Sequence, residues 1–439
     1  MRVVRQGYDD TLASLQGAGR LPSVSAAVAR GGEPVWQGCV SAMPGVDVHS
    51  AYRIGSITKT MTAVLVLQLR DEGRCSLDEP IGRFVPEAGY AEVTLRELLA
   101  HTGGLQSEPV GPWWERVDGP AVAELLLAND GSGRVAGRGE FFHYSNLGFA
   151  LLGEAVARLR GQTWWDAVRA RVLEPLAMTA TSYGPPTHHA PGHSVDQFAH
   201  TLSAEPHADT GAMAPAGQLW STVADLLRWA DFLAAGHPGV LGADTLAEMA
   251  THAEPADAYG LGLRLLDVGA RAMVGHTGSM PGFQASLFVD RATRDAVAVL
   301  TNATTGLRAE HAPGAFLDGA VAPAPPWTPP WTPSSVPVPG RVAEVLGLWF
   351  WGNTAFTFEW VGGELLAHDL RTGELHERFV IRGDDVVGAQ GYHRGERLVT
   401  HRDAAGGLLS LECATFVYTR VPYDARVTIP GGHPSPERP

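Results

Sequence analysis

"RIGSITKTMTA", residues 53 to 63, holds the only lysine of the chain, Lys59. Lysine and arginine together number 33, so all the others are arginine. Arginine serves wherever a fixed positive charge is needed, but it keeps its proton near neutral pH, whereas a partly buried lysine can release it. A single lysine kept among arginines points to proton transfer. Ser56 stands three residues earlier. If Gly55-Ser56 opens a helix, the Ser56 and Lys59 side chains share one face, a turn apart. A serine hydroxyl is a poor nucleophile until a base takes its proton, and a lysine desolvated at a buried helix start has a pKa lowered enough to do so. The helix N-terminus also stabilises negative charge developing near Ser56. By itself Ser-x-x-Lys is a weak signal, and the rest of the chain decides it.

Two further stretches bear on it. In HYSNLGFALLG, residues 143 to 153, Tyr144 and Asn146 sit on a turn before an apolar helix. A tyrosine with a lowered pKa can share the base role, and an asparagine can orient the lysine and hold a substrate amide. Read alone, the stretch is an N-cap asparagine after a buried tyrosine. The second stretch, His276 to Phe283 in GHTGSMPGF, leads into an apolar strand. A strand edge exposes backbone N–H groups that can stabilise an oxyanion, although His-Thr-Gly alone reads as a turn.

Ser-x-x-Lys, Tyr-x-Asn and a strand-borne His-Thr-Gly, in that order, are where the chain resembles a known family, the penicillin-recognising serine hydrolases. These include class C β-lactamases, low-molecular-weight DD-peptidases, D-aminopeptidases and related esterases. The resemblance covers about residues 8 to 320 and extends to HTGGL (101 to 105), LEPLAMTAT (173 to 181) and APAGQLWSTVADLLRW (214 to 229). It implies that Ser56 is the acylated nucleophile, Lys59 and Tyr144 the general base pair, and Asn146 a positioning residue. His276, Thr277 and Gly278 would line the cleft from the edge strand. The N–H groups of Ser56 and Ser279 would form the oxyanion hole. Trp113 and Trp114 follow HTGGL in a region that borders the cleft in relatives, so they are candidate substrate-wall residues. One ring of this doublet, and one of Trp164-Trp165, is expected in the core.

The resemblance also implies an α+β fold: a β-lactamase/transpeptidase-like antiparallel sheet with flanking helices and a helical lobe. No metal and no cofactor is expected. One departure matters. β-Lactamases and many DD-peptidases carry a lysine, which helps bind the substrate carboxylate, where this chain has His276. Histidine is mostly neutral at pH 7 unless perturbed. Relatives with His-Thr-Gly are more often esterases, D-amino-acid peptidases or acyltransferases.

Periodicity agrees with such a fold. Residues 9 to 18 read as a helix, and VSAAVARGGEPVWQGCVS as a hairpin around Gly31-Gly32. Residues 58 to 73 read as a buried helix. LRELLAH, AVAELLLAN, NLGFALLGEAVARLR, WWDAVRARVLEPL and TVADLLRWADFLAAG are helical stretches, and YGLGLRLLDV, GFQASLFVD and DAVAVLTNA are strand-like. Strands at both ends with helices between predict one sheet closed by the two chain ends.

The expected domain boundary is VAPAPPWTPPWTPSSVPVPG, residues 321 to 340, a linker with eight prolines. The hydrolase domain is then 1 to 320. Residues 341 to 428, short alternating runs broken by Gly and Asp, predict a small antiparallel β-barrel or sandwich. Residues 429 to 439 read as a disordered tail. The second domain loosely resembles the lipocalin-like barrels attached to some members of the family. Its aromatic cluster LWFWGNTAFTFEW (348 to 360) reads as ordinary β-core.

Bulk properties exclude several classes. With 439 residues, 45% hydrophobic and 18% charged, the chain has ample core material. A net charge of −14 argues against nucleic acid as a partner. Cys39, Cys75 and Cys413 have no metal spacing and an odd count, and read as reduced thiols. His188, His189, His193, His200 and His207 match no metal pattern and read as solvated loop residues. The N-terminus lacks an apolar signal region and no stretch is long enough to span a bilayer, so a cytoplasmic protein without a membrane partner is expected.

The expected activity is a serine hydrolase or acyltransferase working through a Ser56 acyl-enzyme. Its substrate would be a small molecule or peptide: a peptide with D-residues, an ester or a thioester. One version is a stand-alone thioesterase that cyclises nonribosomal peptides, since family members with a lipocalin-like module include such enzymes. The competing class is a non-catalytic ligand sensor or scaffold on the same fold. Loss of one of Ser56, Lys59, Tyr144 or Asn146 would favour it, and all four are present.

Overall fold

Gly31 and Gly32 both take positive φ, 61° and 86°, and turn the chain between two long strands. In the computed structural model, which describes residues 2–256, 258–317, 330–390, 393–414 and 416–422, these are β1 (Ser23–Arg30) and β2 (Glu33–Ser41). The chain divides into two units, one of residues 1–194 and 204–332, the other of 195–203 and 333–439.

The first unit is built on a six-stranded antiparallel sheet. Its later strands are β3 (Arg264–Val268), β4 (Arg271–Met280), β5 (Phe283–Asp290) and β6 (Ala296–Thr301), and the order is β2-β1-β6-β5-β4-β3. The expected closure by the two chain ends is present, because β1 pairs antiparallel with β6 from Val24↔Thr301 to Ala29↔Ala296. Tyr259–Gly262, expected as strand, precede β3 and lie outside it.

Helix α1 (Arg2–Gly19) packs on β1 and β2, extending well beyond the helix expected over 9 to 18. Tyr8 from α1, Trp36 from β2 and Phe316 stack within about 6 Å of one another. Helix α2 (Ile57–Asp71) is buried at every position from Ile57 to Leu69. A helix apolar all round belongs inside, and α2 lies between the sheet and the helical lobe. The lobe contains α3 (Leu95–Leu99), α4 (Val122–Ala128), α5 (Asn146–Arg160) and α6 (Trp164–Val168), where the sequence placed helices. Helix α7 (Val223–Ala235) packs on β1, β5 and β6, and α8 (Ala312–Leu317) on β5 and β6.

The second unit is an eight-stranded antiparallel near-barrel. Its strands are β7 (Gly347–Trp351), β8 (Thr354–Val361), β9 (Glu364–Asp369), β10 (Leu375–Arg382), β11 (Asp385–Gly388), β12 (Leu398–Arg402), β13 (Leu408–Cys413) and β14 (Phe416–Thr419). They run in the order β11-β10-β9-β8-β7-β14-β13-β12, and a Val387–Arg397 bridge joins the two ends of the row. Trp349, Phe356, Phe358 and Trp360 are buried, so the aromatic cluster is core, as read from the sequence. Residues 195–203 belong to this unit as well. The Trp360 N–H donates to the Phe198 carbonyl at 2.7 Å, and the Ser334 N–H to the His200 carbonyl at 2.7 Å. Nothing local in the sequence marks that excursion.

Of the expected linker, residues 321–329 lie outside the described residues, as does the whole of the 429–439 tail. Trp331 is held in the first unit, with Gln16 bonding both its N–H and its carbonyl. Among the described residues no helix is long and apolar enough to cross a membrane. Among the same residues no cluster of His, Cys, Asp and Glu could hold a metal ion.

Candidate active site

Ser56 occupies the N-cap position of α2, and Lys59 lies one turn in on the same face, as the spacing required. The Lys59 Nζ donates to Ser56 Oγ at 2.9 Å and to the Ala216 carbonyl at 2.6 Å. The ammonium also sits 5.0 Å from the centre of the Tyr144 ring and 5.7 Å from that of Phe149. Lys59 is fully buried. Burial drives its pKa down from 10.5 to about 7; Glu108 and Glu115 oppose the shift and Arg264 adds to it. Near neutral pH the amine is therefore present in both forms.

Tyr144 faces the same pair, and here the sequence reading needs correction. A lowered phenol pKa was expected, but burial pushes Tyr144 up, outweighing the favourable effects of Ser56 and Arg264. Its hydroxyl is buried and reaches toward Ser56 without completing a hydrogen bond. It is a protonated phenol, suited to donate rather than to accept. The cap of α5 also differs from expectation. Ser145, not Asn146, is the N-cap, with its Oγ accepting the Gly148 N–H at 3.0 Å. Asn146 is the first helical residue, and its Nδ2 donates to Glu108 Oε1 at 2.7 Å. A carboxylate only accepts, so this bond settles which way the amide faces.

The His-Thr-Gly stretch lies in β4. Strand β3 pairs with β4 only as far as Arg264↔Gly275, so residues 276–280 present a free edge on that side. Two glycines let this edge lie against the start of α2. A Cβ on Gly55 would sit 2.6 Å from the Ser279 nitrogen, and one on Gly278 would sit 1.9 Å from the Ile54 oxygen. The Ser279 backbone is thereby brought beside Ser56. A pocket of about 500 Å³ unites Ser56 and Tyr144 with His276, Thr277, Gly278 and Ser279; Arg264 and Arg308 also line it. Pockets of about 540 Å³ at Trp36 and 640 Å³ between α5 and Pro215 are larger, but neither contains Ser56.

His276 offers this pocket no charge. Its Nδ1 lies 2.6 Å from the Thr277 carbonyl and its Nε2 lies 3.0 Å from the Tyr259 hydroxyl. The carbonyl can only accept, so Nδ1 carries the hydrogen and donates to it, leaving Nε2 to accept from the Tyr259 hydroxyl. Burial and then the Arg264 charge hold the imidazole well below its usual pKa. Of the tryptophan doublet, Trp114 is buried and Trp113 is 54% exposed, the division expected. A Cβ at Gly217 would lie 3.5 Å from the Trp114 ring and 3.7 Å from the Gly55 carbonyl carbon, which places that ring beside the nucleophile's turn.

Several residues here escaped sequence reading. Glu108 accepts from both Asn146 and the Trp114 indole, each at 2.7 Å. His101, at positive φ, accepts the Ser145 N–H at 3.0 Å and stacks 4.3 Å from the Tyr144 ring. Arg264 and Tyr259 come from a different part of the chain. HTGGL pointed to the His101 turn; no motif pointed to the other three. The loop histidines are less solvated than expected. His193 is buried, and His207 packs against Trp220 and Phe283 at 4.9 and 5.6 Å. Cys39, Cys75 and Cys413 are free.

Comparison with known proteins agrees with this geometry. D-alanyl-D-alanine-carboxypeptidase/endopeptidase AmpH of Escherichia coli K12 is 28% identical over 221 residues, 45% of this chain and 54% of that protein. The chain spans about half the length, or less, of the first curated relatives it matches. A D-stereospecific amidohydrolase from Streptomyces sp. superposes with a TM-score of 0.61 at 26% identity, over 71% of this chain and 99% of that one. The octameric penicillin-binding protein homologue of Pyrococcus abyssi does so with a TM-score of 0.63 at 21% identity, over 95% and 100%. Residues 338–420 match a family described as Domain of unknown function (DUF7586). The Beta-lactamase family matches residues 8–320, the stretch that carries the sheet, the lobe and the Ser56–Lys59 pair, and the chain belongs to that family.

Proposed function

We propose that this protein is a serine hydrolase or acyltransferase that works through an acyl-enzyme on Ser56. The observation that carries this reading is the buried Lys59 amine, 2.9 Å from Ser56 Oγ and with a pKa of about 7. In its neutral form Lys59 takes the Ser56 proton while Oγ attacks the substrate carbonyl. The N–H groups of Ser56 and Ser279 face the developing oxyanion. Tyr144, protonated, passes a proton to the leaving group and is reprotonated from Lys59. Water or an amine then releases the acyl group by the reverse path. Trp113 and Trp114 wall the acyl side, with Asn146 positioning the donor.

Amides of D-residues are the preferred donors in this reading. The names of AmpH and of the D-stereospecific amidohydrolase support that choice. Esters and thioesters follow as easier substrates of the same chemistry. A second reading changes only the acceptor: an amine of the same acyl chain replaces water and closes a ring. The attached barrel supports it, because the family resemblance associates such a module with stand-alone thioesterases that cyclise nonribosomal peptides.

The test is intact-protein mass after incubation with a short activated thioester and, separately, a penicillin, on wild type, Ser56→Ala and Lys59→Arg. A Ser56-dependent adduct or product is expected, together with a loss of at least ~100-fold in Lys59→Arg, the scale of losing a general base. Undiminished acylation of Lys59→Arg refutes the mechanism.

A further inference from the structure

We propose that the cavity of about 640 Å³ between α4, α5 and α6 is a regulatory site for an uncharged aromatic molecule, and that its occupant slows Ser56 acylation through the turn that holds Lys59. The site itself goes beyond the hydrolase reading; its effect on rate rests on that reading.

The cavity lies within the first unit and shares no residue with the Ser56 pocket. Leu125, Leu126, Leu151 and Trp164 line it and are buried. Trp165 and Tyr183 line it as well, half-buried, with their rings 5.8 Å apart and tilted. Small organic molecules occupy pockets of roughly 300–1,000 Å³ with largely apolar walls and a few polar groups, and this cavity falls inside that range. Its exposed aromatic faces favour a ring, which gains both contact area and stacking geometry there.

The charges on the wall decide against an ionic ligand. Glu154 and Asp209 are the charged residues that line the cavity, and both are already compensated. Glu154 accepts from Arg158 Nε at 2.6 Å. Asp209 accepts from the Tyr183 hydroxyl at 2.6 Å and from the Gly211 N–H at 3.0 Å, and it lies in the field of the buried Arg53 guanidinium. Neither carboxylate needs a cation from the ligand. An anion would meet two carboxylates and, among the described residues, no basic side chain on the wall.

The cavity reaches the catalytic pair through Trp164 and Pro215, which line it together. The Trp164 indole donates to Thr62 Oγ1 at 3.0 Å, and that hydroxyl donates to the Pro215 carbonyl at 2.9 Å. The next carbonyl, that of Ala216, accepts from Lys59 Nζ at 2.6 Å. Lys59 and Thr62 lie one turn apart on α2, so two successive carbonyls fasten the helical turn Ala214–Gly217 to one face of α2. On its other side the Pro215 ring lies directly on α5, where a Cβ on Gly153 would sit 2.0 Å from Pro215 Cγ. A ring packed against Trp164 and Pro215 adds dispersion contacts to this turn and holds the Ala216 carbonyl on the amine. A carbonyl that accepts from the amine favours its charged form, so the neutral base becomes scarcer and acylation slows.

The experiment uses two probes of one ring skeleton on the full chain: N-phenyl-1-naphthylamine, uncharged at neutral pH, and 8-anilino-1-naphthalenesulfonate. The neutral probe should bind with a rise in its fluorescence, and the sulfonate at least ~10-fold more weakly. Ala157→Phe, which carries a ring into the cavity from α5, should weaken the neutral probe at least ~10-fold. Gln162→Trp at the exposed mouth should do the same, and it decides if Ala157→Phe fails to fold. With p-nitrophenyl acetate as donor, the neutral probe should lower kcat of the Ser56-dependent turnover at least ~5-fold with KM unchanged. Thr62→Val should keep the binding and lose that effect. Undiminished binding in the folded variants, or tighter binding of the sulfonate, overturns the site. A probe that raises KM alone occupies the Ser56 cleft and overturns it too. Binding that the variants block, with kcat unchanged, overturns the coupling and leaves the acyl-enzyme reading standing. Absence of Ser56-dependent turnover overturns the acyl-enzyme reading and the coupling with it, while the binding results still decide the site.

Discussion

Replacing Lys59 by methionine should alter the pH dependence of folding, and the size of the effect follows from where the amine sits. Lys59 is fully buried, and desolvation brings its pKa to about 7 in the folded chain. In the unfolded chain a lysine titrates near ~10.4. Between those values the unfolded chain holds a proton that the folded chain has already released. Stability of the wild type therefore rises with pH across that window. The full cost of the buried site is present below about pH 7 and has vanished above about pH 10.4. From pH 7 to pH 9, wild type should gain roughly 2 kcal/mol relative to Lys59→Met. The figure is slightly less than two whole pH units at ~1.4 kcal/mol each, because Lys59 is only half titrated at the start.

Neighbouring groups do not confuse this difference. Burial keeps His101 and His276 neutral throughout the window. The assay is urea unfolding at pH 7, 8 and 9, with protease resistance of α2 as the readout. That readout follows the unit that holds Lys59 and not the barrel. A wild-type minus variant difference that stays flat from pH 7 to pH 9 would mean that folded Lys59 keeps its proton. The amine would then be unavailable as a base, and the reasoning built on its burial would fail.

Two further substitutions test the geometry around it. Tyr144→Phe should slow acylation by an anilide by ~100-fold and by a p-nitrophenyl ester far less, because only the anilide's leaving group needs a proton; equal losses in stopped-flow acylation rates would remove Tyr144 from that role. Gly278→Ala should destabilise the fold by about 1–3 kcal/mol and abolish Ser56 acylation, since the new Cβ meets the Ile54 carbonyl oxygen at 1.9 Å and the strand edge must retreat; unchanged thermal stability and activity would show that the edge need not lie so close.

What was legible in the sequence was what local rules govern. The Ser56–Lys59 pair is three residues apart, and helix geometry alone brings it together. The Gly31–Gly32 hairpin, the buried α2 and the helices of the lobe follow from periodicity and turn chemistry. The meeting of β1 with β6 was reached only through the argument that strands at both ends must share a sheet. The failures have a common cause. The phenol of Tyr144 was given a low pKa because a base role was in view, whereas its pKa depends on burial by residues from several elements. Ser145 takes the cap that Asn146 was given because two adjacent residues both suit the position, and only the Glu108 contact shows why Asn146 is needed elsewhere. Glu108 lies 38 residues from Asn146, and no spacing rule connects them. The segment 195–203 joins the barrel through backbone bonds such as Trp360 N–H to Phe198 O, which carry no side-chain signature.

His276 shows the same division within one residue. That it departs from the family's lysine is visible in the sequence, but the result of the departure is not. A histidine exposed at a strand edge would titrate near ~6.5 and could be charged when a carboxylate approached. Here Tyr259 and the Thr277 carbonyl occupy both ring nitrogens, and the ring is buried, so protonation would break the Tyr259 contact and bury a charge. The neighbouring strand compounds that cost. Arg264 stands opposite Gly275 in the β3–β4 register, one residue from His276, and lines the same pocket. A second cation at position 276 would be buried within the field of the Arg264 charge, which already lowers the His276 pKa, and like charges are disfavoured there. The guanidinium that this pocket does have is that of Arg264 on β3, paired with Glu310. A neutral imidazole at 276 is the state that this arrangement tolerates.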